Sequence, residues 1–130
     1  MMAVDSSALV AIALDEKEAS EFSAIMSEQR CYLGWPTLLE TYLALHRRVD
    51  QLFAGAFVQS LTGRSGIQPV AFDADLFEIA RTAFTRYGKG RHAAGLNFGD
   101  CMAYAVAKAT DVPLLFKGDH FRLTDIRAAV

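Results

Sequence analysis

Met2-Ala3-Val4-Asp5-Ser6-Ser7-Ala8-Leu9-Val10-Ala11-Ile12 is the stretch from which the architecture can be read. Three apolar residues suit a short buried strand. A carboxylate follows at once, then two hydroxyls, either of which can cap a helix running to Leu14. A strand that turns straight into a helix is the first half of a β-α unit. The acid at the joint is the odd element, because a carboxylate beside so apolar a run is costly unless it is paired or holds a cation.

Outward from there the same alternation recurs. Cys31-Tyr32-Leu33, Ile67 to Phe72 and Leu114 to Phe116 read as further short strands, the middle one interrupted by Pro69. Between them lie helical patterns. Glu16 to Gln29 places Ala19, Phe22, Ile25, Met26 and Gln29 on one face, and Thr37 to Val49 follows Pro36, which suits a first helical turn. Asp50 to Leu61 ends in Gly63-Arg64-Ser65-Gly66, and Asp73 caps a helix with Leu76, Ile79, Ala80, Ala83, Phe84 and Tyr87 at helical spacing. One long glycine-rich loop, Gly88 to Gly99, leads to a helix from Asp100 to Asp111, and a last turn spans Asp119 to Leu123. Strands separated by helices imply a parallel sheet covered on both faces. Neither repeats nor linkers divide the chain, so residues 1–130 read as one domain.

The composition agrees. The chain has 130 residues, 52% of them hydrophobic, and a formal net charge of −2; the pI is about 5.9 and the mean hydropathy +0.19. There is enough apolar material for a core and an interface as well. No global positive charge attracts nucleic acid, so a polyanionic substrate needs a local basic cluster or a metal. Cys31 and Cys101 lack metal-ligand spacing and read as reduced thiols. No basic, apolar leader precedes Asp5 and no run approaches a membrane span, so a cytoplasmic location is expected.

Four acids stand where a ligand site of such a sheet would lie. Ligands bind beyond the carboxyl ends of parallel strands, and Asp5 and Asp119 each follow one. Asp100 opens a helix, where the dipole favours it, yet Phe98-Gly99 and Cys101 to Val106 around it are largely apolar. Glu40 lies one turn into its helix. Oxygen ligands without nearby Cys or His pairs favour Mg²⁺, with Mn²⁺ as the other choice. Without a cation, packed carboxylates would repel one another by several kcal/mol, an order-of-magnitude figure. Each acid also has a plainer reading: Asp5 and Asp119 as caps or turn residues, Glu40 as a solvated helix residue, Asp100 as an N-cap. Asp73 and Asp75 read as ordinary helix-start acids. Arg86, Lys89, Arg91 and His92 form a basic cluster before Asp100, suited either to solvent or to phosphate contact.

At these residues the sequence resembles the PIN-domain toxins of the VapC type. The likeness runs through Val4 to Ile12, the Glu40 helix, Tyr87 to Cys101 (Tyr87-Gly88-Lys89-Gly90-Arg91-His92 and Asn97-Phe98-Gly99-Asp100-Cys101 within it) and Leu114 to Phe121. It implies a three-layer α/β/α sandwich with a central parallel sheet of four to five strands. It further implies a Mg²⁺-dependent endoribonuclease, the toxin of a type II toxin–antitoxin pair, with a VapB-like antitoxin as partner and a homodimer as its usual state. The family's acidic set falls on Asp5, Glu40 and Asp100, with Asp119 as the fourth catalytic and metal-binding acid. Related toxins often carry that acid directly before the last Phe, where this chain has His120; Asp119 can replace it with a shifted geometry, Asp125 can contribute, or three acids and water can hold the metal. Ser6 matches a hydroxyl that supports the first Asp, and Lys89, Arg91 and His92 would contact the RNA backbone.

Two other functions fit some of the same residues. A PIN-fold module that binds RNA or antitoxin with little turnover would follow from the displaced fourth acid. A metal-dependent phosphatase would also use acids at strand ends, but no second Asp stands two residues after Asp5. Phe22, Tyr42, Phe53 and Phe57 are candidates either for a groove that takes an antitoxin helix or for the core.

Overall fold

The computed structural model describes residues 1–130. Its strands are β1 (Met2–Val4), β2 (Cys31–Gly34), β3 (Ile67–Val70) and β4 (Leu114–Leu115), and its helices α1 (Ser6–Ala13), α2 (Ala19–Ser27), α3 (Trp35–Arg48), α4 (Gln51–Thr62), α5 (Ala74–Tyr87) and α6 (Phe98–Thr110), followed by a 3₁₀ turn at His120–Leu123. The strands form one parallel sheet in the order β3-β2-β1-β4, within the expected four to five.

The sheet is covered on both faces because its strands alternate between two cores. Ala3 and Leu114 point into a core built with Leu76, Ala80 and Ala83 of α5 and Cys101 to Ala107 of α6. Their neighbours Met2, Val4 and Leu115 point the other way, to Ala8, Leu9 and Ala11 of α1, Phe22 and Met26 of α2, Leu38 of α3 and Leu61 of α4. Successive strand residues face opposite sides, so a three-residue strand such as β1 can serve both layers. Pro69 is tolerated because β3 is an edge strand.

Several boundaries depart from the sequence reading; helix α3, for one, begins at Trp35 rather than Thr37. Helix α2 begins at Ala19, not Glu16: Asp15 turns through positive φ (+53°) after α1, and Glu16 and Glu18, the latter the N-cap, place their carboxylates 2.6 and 3.1 Å from Lys117 Nζ. Strand β3 stops at Val70. Helix α6 begins at Phe98, two residues before Asp100. Asn97 is the cap: its side chain accepts from Asp100 N, while the Asp100 carboxylate accepts from Asn97 N, a reciprocal box that satisfies two helix-end donors.

Strand order locates the crevice. From β1 the chain moves outward to β2 and β3, then returns across the sheet to place β4 on β1's other side. The carboxyl ends of β1 and β4 therefore flank the point where connections diverge, which is where such sheets bind ligands.

Candidate metal centre

Asp5 leaves β1 at that crevice and is buried, 4% exposed. Its Oδ2 accepts from the backbone N–H and the hydroxyl of Ser7, at 3.1 and 2.6 Å. The Ser7 hydroxyl oxygen in turn accepts from the backbone N–H of Lys117, at 3.0 Å, so one serine ties the ends of β1 and β4 together. Ser7 thus supports the first acid where Ser6 had been expected to. Ser6 lies instead beside Glu40, whose carboxyl its hydroxyl pulls toward ionisation.

Asp5, Ser6, Ser7, Glu40, Asn97, Asp100, Lys117, Gly118, Asp119 and His120 line one hollow of about 290 Å³, closed at one side by Phe121. All four acids expected from sequence are therefore brought together. They are not equivalent. Asp5, Glu40 and Asp100 are buried or half-buried, whereas Asp119 is exposed and carries no cap bond of its own. Gly118, at φ +100°, makes the turn that brings Asp119 and His120 to the rim. Asp125 is elsewhere: its carboxylate accepts from Tyr104 Oη at 2.7 Å and Lys108 Nζ at 3.0 Å, and it does not line the hollow.

The position of Glu40 depends on a residue that sequence reading passed over. Gly99 stands against the Glu40 carboxylate so closely that any Cβ there would collide with it. A glycine in the first turn of a helix, next to a suspected ligand, was the available signal. Ser7 and Asn97 were missed for a different reason, since each could equally have been an ordinary cap.

Electrostatics show that the acids feel one another. Burial pushes the Asp5 carboxyl up from about 3.8 to about 6, against the pull of its Ser7 hydrogen bonds, and the charges of Asp100 and Glu40 push it further. Burial likewise raises Glu40, with the Ser6 hydroxyl opposing and the Asp100 charge adding. The acids are not gathered into a finished cage, for nowhere do three or more His, Cys, Asp or Glu side chains stand as a ready ligand set. Yet Asp5 Oδ1 and Glu40 Oε1 are both buried without a hydrogen-bond partner. Orphaned carboxylate oxygens are expensive, and two of them lining one hollow fit a small hard cation. Mg²⁺ keeps several of its waters and needs only one or two direct carboxylates, so the incomplete cage and the cation are compatible.

The basic loop is organised around itself. Lys89 N–H donates to Leu96 O, Leu96 N–H donates to Tyr87 O, and His92 Nδ1 accepts from Ala94 N–H. The His92 ring stands edge-on to Tyr87, and Arg91 lies over the Phe84 ring. Lys89, Arg91 and His92 are all exposed, and none lines the acidic hollow.

The four aromatics read as either groove or core divide: Phe22 is core, Phe57 packs partly against it, Tyr42 is half-buried and Phe53 is exposed. The open apolar surface is another one, two adjoining hollows of about 410 and 550 Å³ that share Pro36, Phe72, Phe98 and Met102. Trp35, Leu39, Leu43, Phe77 and Phe84 extend it, and Glu40 and Gly99 join it to the acidic site. Trp35 itself is half exposed. No helix is long and apolar enough to cross a membrane.

Comparison with known proteins gives concordant matches. The PIN domain family model matches residues 2–126. A protein named ribonuclease VapC from Mycolicibacterium smegmatis is 44% identical over 128 residues, covering 98% of each chain. Ribonuclease VapC30 from Mycobacterium tuberculosis is 42% identical over 126 residues, 96% of this chain and 95% of its own. Among solved structures, the sarcin-ricin-loop-cleaving toxin VapC20 of Mycobacterium tuberculosis superposes with a TM-score of 0.80 at 18% identity, covering 97% of this chain and 96% of the other. VapBC2 from Rickettsia felis, solved bound to a promoter DNA fragment, gives 0.70 at 13% identity, with 98% and 95% coverage.

Proposed function

The chain belongs to the PIN-domain family, in its VapC branch, and from that membership we propose that it is the endoribonuclease toxin of a toxin–antitoxin pair, acting with Mg²⁺ or Mn²⁺ held by Asp5, Glu40 and Asp100. The observation that carries the metal is the pair of orphaned buried oxygens, Asp5 Oδ1 and Glu40 Oε1, in the hollow at the sheet's switch point.

Bound there, the cation would lower the pKa of a water and offset charge on the phosphate oxygens. The protein's part is positional. Ser7 holds Oδ2 of Asp5 and leaves Oδ1 for the site. Gly99 lets Glu40 approach the first turn of α6, and the Asn97 box fixes Asp100 there. Asp119, on the rim, is the carboxylate best placed to orient water without being buried itself. Lys89, Arg91 and His92 lie outside the hollow and suit the RNA backbone away from the scissile bond. An unstacked RNA loop, rather than a duplex, is the substrate that an open site of this kind can accept.

A VapB-like antitoxin is the expected partner, and the apolar face around Phe98 and Trp35 supports a homodimer. Patches that large seldom stay uncovered. One observation favours the weaker-turnover reading: the fourth acid's usual place holds His120. The purified chain decides between them. Mg²⁺-dependent RNA cleavage that EDTA abolishes, and that Asp5→Asn and Asp100→Asn lose, supports the nuclease. Cleavage that survives either treatment defeats the proposed site, and RNA or antitoxin binding without any cleavage supports the module.

A further inference from the structure

His120 lies directly before Phe121 on the rim of the hollow, and its imidazole has a defined partner. Its Nδ1 is 2.9 Å from Asp100 Oδ2, and the backbone N–H of Asn97 donates to the same oxygen at 3.1 Å. A carboxylate oxygen accepts and does not donate. The ring must therefore carry a hydrogen on Nδ1 toward Asp100, with Nε2 as the outward nitrogen. Both protein donors go to Oδ2 and none to Oδ1. Ser7 does the same for Asp5, taking Oδ2 and leaving Oδ1. The two acids are thus prepared alike, one oxygen tied back by protein donors and the other left over.

We propose that His120 is a positioning residue for the cation site: it holds Oδ2 of Asp100 so that Oδ1 is presented beside the unpartnered oxygens of Asp5 and Glu40. It occupies the rim without adding a further carboxylate to a hollow that already holds Asp5, Glu40, Asp100 and Asp119. This inference rests on the reading of the hollow as a cation site. Hydrogen bonds that orient ligating carboxylates typically govern metal affinity by about 10- to 100-fold.

The test uses the purified full chain with Mn²⁺ alone as probe, read by titration calorimetry, by the electron spin resonance of bound Mn²⁺, and by thermal unfolding without cation. His120→Ala is expected to weaken Mn²⁺ binding by about 10- to 100-fold. Its metal-free unfolding temperature should stay near wild type, since the ring is 58% exposed. His120→Asn, whose amide N–H can replace Nδ1–H, should recover the affinity, a rescue that loss of mere packing would not produce. His120→Asp removes the donor and sets carboxylate against carboxylate. It should unfold earlier without cation and gain more from Mn²⁺ than wild type does. Unchanged Mn²⁺ affinity in His120→Ala, or no recovery in His120→Asn, overturns the assignment. A wild-type chain that takes up neither Mn²⁺ nor Mg²⁺ defeats the cation reading itself, and the role of His120 falls with it.

Discussion

Helix α3 serves two surfaces that lie side by side. Its Glu40 turns a carboxylate into the acidic hollow, while Leu39 and Leu43, the latter one turn on from Leu39, are 59% and 48% exposed on the apolar face. The hollow keeps charge where burial penalises it, and the face keeps hydrophobic area where water penalises it. Each surface is unsatisfied in the isolated chain, but by opposite physics. A small cation relieves the first, and only another apolar surface relieves the second. The two share Glu40 and Gly99, so whatever covers the face lies close to the site.

At the join of the two surfaces a large effect is expected from Gly99→Ala. The new Cβ must displace the Glu40 carboxylate or shift α3 against α6. Misplacement of about 1 Å at a reacting centre costs on the order of 100-fold in rate. RNA cleavage measured alongside circular dichroism checks it, and a folded Gly99→Ala chain with full activity would separate Glu40 from the chemistry.

Asp5→Asn should lose cleavage yet stabilise the metal-free protein, and the sign follows from its raised pKa. Between pH 3.8, where the unfolded group titrates, and about 6, the folded value, the native state holds a proton that the unfolded chain has released. Stability therefore falls as pH rises through that window, and the loss persists above it. The amide removes a penalty of about 1–3 kcal/mol at pH 8 and none below pH 3.8. Denaturant melts at pH 3.5 and pH 8 test this; equal shifts at both would mean that Asp5 is not held against its charge.

Asp125→Asn sharpens the boundary of the hollow. It weakens the contacts to Tyr104 and Lys108 and should cost about 1 kcal/mol of stability, with Mn²⁺ affinity unchanged in calorimetry. Smaller still is the effect of Phe98→Ser on folding. Phe98 is 78% exposed, so stability should move by no more than about 0.5 kcal/mol, while sedimentation should show weakened self-association. A large drop in stability would turn the apolar face into core and collapse the contrast between the two surfaces.

Local patterns made most of the fold legible. Alternation of short apolar runs with helical periodicity, and acids just beyond two of those runs, were enough for a parallel sheet with its acids on one edge. The misread boundaries have a common cause. Glu16 looks helical by itself, but the left-handed turn at Asp15 delays the helix, and the carboxylates of Glu16 and Glu18 meet Lys117, about a hundred residues away. Asp100 looked like a cap because its role at the third helical position is defined by Asn97. Asp125 and Asp119 are equally plausible acids until Tyr104 and Lys108 engage the first and the turn at Gly118 brings the second to the rim.

Residue order alone settled that this chain carries Asp5, Glu40 and Asp100 at places a parallel sheet can use, because strand ends and helix starts are consequences of short-range periodicity. Strand order was out of its reach, since β4 returns to β1 across more than a hundred residues. That return creates the crevice. So do the close approach of the Glu40 carboxylate to Gly99, the shared hold of Ser7 on Asp5 and Lys117, and the contact of His120 with Asp100. Apart from the local Ser7–Asp5 bond these are meetings between segments apart in sequence, and packing decides such meetings where propensity cannot.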